Sequence, residues 1–96
     1  MTTQGANSSG TPCQLRFRLL ANLCFTLGSH GCRAQLDQEP LGGAALYVQH
    51  RLRPGIRVSV GAIEQSDGWS YVWCDGQCPV GDLDAAARKI VRALAV

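Results

Sequence analysis

Ninety-six residues, 46% apolar and 17% charged, make one small folding unit, too short for two domains and too apolar for a disordered chain. The formal charge of +2, from eight arginines and one lysine scattered among seven acids, does not favour nucleic-acid binding driven by charge. No apolar run reaches the roughly 20 residues of a membrane span, because Leu19 to Leu27 is broken by Asn22 and closed by Gly28.

Met1 to Pro12 is rich in Thr, Ser, Gly, Asn and Gln and reads as a flexible tail, with neither the basic start nor the apolar run of a secretion signal; residues 13–96 are the domain. From Cys13 to Leu27, Leu15, Leu19, Leu23 and Leu27 recur four apart with Phe17, Leu20 and Cys24 beside them, which predicts a helix entered after Pro12 and capped at Gly28. Phe25 lies off the leucine stripe. That helix is therefore apolar on more than one side, and is either deeply buried or shared with another chain.

After the break at residues 28–31, Cys32 to Asp37 alternates as a short edge strand. Gln38 to Gly43 is a turn by composition, and Ala44 to Leu52 alternates as a half-buried strand. Arg53-Pro54-Gly55 is another turn, leading into Ile56 to Ala62, where β-branched residues on every second position give the clearest strand. Gln65-Ser66-Asp67-Gly68 then makes a hairpin into Gly68-Trp69-Ser70-Tyr71-Val72-Trp73. Asp75 to Pro79 reads as a turn. Asp82 caps a final helix with Leu83, Ala87, Ile90, Val91 and Leu94 on one stripe. The fold expected is α+β, an antiparallel sheet of three to four strands with an N-terminal and a C-terminal helix on one face.

Alternation puts Trp69, Tyr71 and Trp73 on one side of their strand and only Ser70, Val72 and Cys74 on the other. If Ala44, Leu46 and Val48 join Ile56, Val58, Val60 and Val72 beneath the helices, the reverse face carries Tyr47, Arg51, Arg57, Ile63, Trp69, Tyr71 and Trp73. Each large aromatic removes about 150 to 250 Å² from water when covered, so such a face calls for a protein partner or a second copy. The anchors would be Trp69, Tyr71 and Trp73, with Tyr47, Arg51 and Arg57 at the rim. The competing arrangement turns the aromatics toward the helices as the core of the monomer.

The cysteines, Cys13, Cys24, Cys32, Cys74 and Cys78, are odd in number without an export signal, which points to reduced thiols in the cytoplasm. Cys74 and Cys78, with His30 and Cys32, are candidate zinc ligands, although the set lacks a paired Cys-x2-Cys knuckle, and Cys74 with Cys78 is a candidate reversible disulfide. His30 and His50 are not bracketed by a nucleophile and a carboxylate. Asp67, Asp75, Asp82 and Asp84 sit at turns or a helix start, where aspartate caps backbone. The glycines match no phosphate-binding loop, and no cofactor is implied. Arginines interleaved with aromatics would suit base stacking, yet the aromatic-glycine strand motif is missing. The leading reading is a small non-catalytic interaction module, most simply a homodimer. The alternatives are a thiol or zinc protein, and a small-molecule-binding protein or enzyme with a groove beside Trp69 and Trp73.

Overall fold

The computed structural model describes residues 12–38, 43–50, 52–53, 55–74 and 76–94. The expected tail at residues 1–11 lies outside them, and Pro12 opens the first helix instead of ending the tail. Helix α1 (Pro12–Ser29) buries Leu20, Leu23 and Leu27. Its cap is Gly31, not Gly28: Gly31 takes φ 82°, its N–H reaches the Gly28 carbonyl at 3.0 Å, and the Cys32 N–H reaches the Leu27 carbonyl at 3.0 Å. That pair of bonds satisfies the last carbonyls of the helix, and the left-handed residue it needs is a glycine.

Five strands follow among the described residues: β1 (Arg33–Gln38), β2 (Ala44–Gln49), β3 (Arg57–Gln65), β4 (Gly68–Trp73) and β5 (Gly76–Pro79). They form one antiparallel meander in the order β1-β2-β3-β4-β5. The fifth strand is a correction to the expected three or four. Gly76 and Pro79 read as turn residues, yet Gln77 pairs with Val72 and Cys78 with Tyr71. Helix α2 (Leu83–Leu94) starts as expected at Asp82, whose Oδ1 accepts the Ala85 N–H at 3.0 Å. Ala86, Ala87, Ile90 and Leu94 form its buried stripe.

Both helices cover the same side of the sheet, α1 over β1 to β3 and α2 over β3 and β5, and they touch each other. Beneath them lie Leu46 and Val48 of β2, Val58, Val60 and Ala62 of β3, Tyr71 of β4 and Cys78 of β5. The expected division of faces is corrected here. The hairpin turn holds two residues, Ser66 and Asp67, so Gln65 pairs with Gly68 and Ala62 with Tyr71. Even-numbered β3 residues therefore meet odd-numbered β4 residues. Directly opposed residues share a face. Trp69, Tyr71 and Trp73 thus lie on the helix side with Val58 and Val60, while Val72 pairs with Gly61 on the uncovered side. The turn itself depends on Gly68, at φ 126°.

Candidate interaction surface

Tyr71 is completely buried, and its hydroxyl donates to the Leu19 carbonyl of α1 at 2.7 Å. Burial, with a smaller contribution from neighbouring Cys78, pushes its pKa up to about 12, because the phenolate would lose its hydration there. Half-buried Trp69 lies under the Arg16 guanidinium, 5.6 Å from the ring centroid, and the Arg16 Nε–H donates to the Ala62 carbonyl at 3.0 Å. Half-buried Trp73 lies across Gly76, where a β-carbon would stand 3.1 Å from the indole, so the bare backbone of β5 makes room for the ring. The three aromatics expected as anchors on the uncovered face instead fasten the middle of the sheet to α1 and β5.

The uncovered face carries the other two described candidates. Tyr47 holds the Arg57 guanidinium 5.7 Å from its ring centroid, a cation–π contact. Arg33, Gln35, Asp37 and Gln49 complete an open polar depression around them, in which the Gln35 amide donates to Asp37 Oδ1 at 3.1 Å. Further along, Ile63 is 41% exposed, and the Ser70 hydroxyl donates to Gln65 at 3.1 Å. Arg51, the remaining candidate, lies outside the described residues.

Two more features belong to this side of the molecule. β1 is an edge strand that pairs with β2 alone among the described strands. On α1 above it, Phe25 is 82% exposed. Phe17, Ala21 and Phe25 are spaced four apart, so they form one stripe about 100° round the helix from Leu20. That stripe overhangs the β1 edge: Gln38, at the end of β1, shares a surface depression with Phe17 and Ala21, and Cys24 Sγ stands 3.8 Å from the Ala34 carbonyl. The sequence marks Phe25 as unexplained by the core stripe. Arg33 and Asp37 were not singled out, although opposite charges four apart on an edge strand are a readable sign.

The thiol candidates are separated. No disulfide joins Cys74 to Cys78. Cys78 is buried on the helix side of β5, whereas Cys74 is exposed in the β4–β5 turn and continues the Ser70–Val72 side. His30 and Cys32 precede β1 at the opposite edge, four strand spacings or about 19 Å across the sheet. Among the described residues no group of three or more His, Cys, Asp or Glu side chains is placed to hold a metal ion.

His30 Nε2 lies 3.7 Å from Asp84 of α2. His50 Nδ1 accepts the Leu52 and Arg53 N–H groups at 3.0 and 3.1 Å, bracing the β2–β3 loop. Both histidines, with Cys32, Leu52, Val91 and Leu94, line a mainly apolar cleft of about 300 Å³. This cleft sits at the far end of the sheet from the groove expected beside Trp69 and Trp73. No helix among the described residues is long and apolar enough to cross a membrane. Set against known proteins, the chain matches no family model, no curated protein and no solved structure.

Proposed function

We propose that the protein is a small non-catalytic interaction module that works as a homodimer in the cytoplasm. The observation carrying this reading is Phe25, 82% exposed on a helix whose core stripe of Leu20, Leu23 and Leu27 is already buried. A phenylalanine left in water on the same flank of an amphipathic helix as Phe17 and Ala21 gains by meeting a second apolar surface. The neighbouring edge of β1, which pairs with β2 alone among the described strands, supports the same side of the molecule as the contact, and an odd number of cysteines suits a reducing compartment.

In this reading the β4 aromatics contribute by position. Tyr71 and Trp69 fix α1 over the sheet through Leu19 and Arg16, and so hold the Phe25 stripe beside β1. Tyr47 and Arg57 flank the contact on the uncovered face. Light scattering across a concentration series tests the proposal: the mass is expected to rise toward twice the 10.3 kDa of one chain. A mass of one chain at every concentration rejects it.

A further inference from the structure

We infer that two copies join edge to edge, β1 pairing antiparallel with the partner's β1 in a register centred on Gln35, while α1 packs beside the partner's α1. This inference rests on the homodimer reading and adds the surface and the register. The two edges of the sheet are unequal. β5 has four residues and ends at Pro79, which has no N–H to offer a neighbour. β1 has six residues, pairs with β2 without interruption from Arg33↔Gln49 to Gln38↔Ala44, and contains no proline, lysine or bulge. Its charges are one Arg33 and one Asp37, of opposite sign, so the charged side chains that commonly block pairing at an edge can here be answered by a second copy. Pairing β1 to β1 closes the contact after two copies, whereas pairing β1 to β5 would continue from copy to copy.

Symmetry limits the register. A twofold axis perpendicular to the sheet keeps each face continuous, so the axis must pass through a residue and not between two residues. Centred on Gln35, it sets Arg33 directly opposite the partner's Asp37, Gln35 opposite its own copy, and Ala34 opposite the partner's Leu36. Moving the centre to Leu36 carries Arg33 past the end of the partner's strand, and moving it to Ala34 does the same to Asp37. Only the Gln35 register pairs both charges, twice over, on the uncovered face. It also brings Ala34 and Leu36, each half-buried in one chain, together on the helix side.

The helix layer agrees with that axis independently. α1 runs antiparallel to β1, with Cys24 near Ala34 and Phe17 near Gln38. A rise of about 1.5 Å per helical residue against about 3.4 Å per strand residue places the segment from Asn22 to Cys24 above Gln35, counted from either contact. The twofold then sets the stripe of Phe17, Ala21 and Phe25 against the partner's same stripe running the opposite way, with Phe25 close to the axis. Because α1 spans β1 to β3, its axis and the partner's fall about three strand spacings apart, roughly 14 Å, so the two helices meet across the seam through their large side chains and not by close backbone approach. The exposed phenylalanine and the outer edge of β1 are thus brought to the contact by one operation.

Charge reversal tests this. Arg33→Asp leaves two acids in each β1 and Asp37→Arg leaves two arginines, so each variant alone is expected to dimerise at least about tenfold more weakly than the native chain. An equimolar mixture is expected to form heterodimers at native affinity, and the double variant Arg33→Asp/Asp37→Arg to recover native self-association. Native mass spectrometry and sedimentation equilibrium read both, and recovery in the mixture establishes that each variant is folded. A native dimer unaffected by either reversal, or variants that stay apart when mixed, overturns the β1 contact while leaving the homodimer standing. A native chain that never dimerises removes both.

Discussion

Tyr71→Ala is expected to cost about 3–5 kcal/mol, as other large aromatic truncations in cores do, a large fraction of the roughly 5–15 kcal/mol that holds small domains together. Tyr71 is the largest fully buried side chain, opposed by Ala62 and Cys78 on the neighbouring strands and bonded through its hydroxyl to the Leu19 carbonyl. Truncation opens a cavity between β4 and α1 and removes the direct bond joining sheet to helix at that point. Urea unfolding measures it: the midpoint falls steeply, or the chain is unfolded without denaturant. Tyr71→Phe, which keeps the ring and loses only the hydroxyl, is expected to cost about 1 kcal/mol. A Tyr71→Ala protein within about 1 kcal/mol of the native one would mean that this ring does not anchor the core.

Phe25→Asp is expected to do the reverse, leaving the folded chain intact and abolishing its self-association. With 82% of the residue in water, the substitution removes little from the monomer, and surface changes of this kind usually fall within about 0.5 kcal/mol. In the proposed dimer the same position faces the partner's apolar stripe of Phe17, Ala21 and Phe25, and a carboxylate there is buried without a counter-charge at both symmetric sites. Each site is expected to cost about 2 kcal/mol or more, which weakens association by a factor of a hundred or greater. Circular dichroism at low concentration checks the fold, and sedimentation equilibrium the affinity. A Phe25→Asp chain that dimerises as well as the native one would place α1 outside the contact.

Much of the architecture is legible in the sequence because it follows from period and punctuation. The leucine repeat gives α1, the alternating Val58, Val60 and Ala62 give β3, and Asp82 gives the start of α2. β5 was hidden because a four-residue strand containing Gly76 and Pro79 has the composition of a turn, and its place comes from pairing with β4. The division of the sheet into faces was misread for a different reason. Reading Val72 in phase with Val60 follows β-propensity, whereas a two-residue turn couples each residue to one of opposite parity. The dipeptide Ser66-Asp67 carried that information.

The site was less legible than the fold. Tyr47 and Arg57 do share the uncovered face, but Trp69, Tyr71 and Trp73 are turned toward the helices. The complementarity of Arg33 and Asp37 becomes visible only once β1 is known to lie at the edge of the described sheet. The helical position of Phe25, off the leucine stripe, left deep burial and a shared surface both open, and its 82% exposure comes from the structure.

Hydrogen–deuterium exchange of the β1 amides, followed as a function of protein concentration, tests the central claim most directly. Pairing with a second copy should slow exchange in Arg33–Gln38 as concentration rises through the dissociation constant, while β5 at the other edge stays unchanged. Exchange in β1 that is the same in dilute and concentrated protein would contradict it.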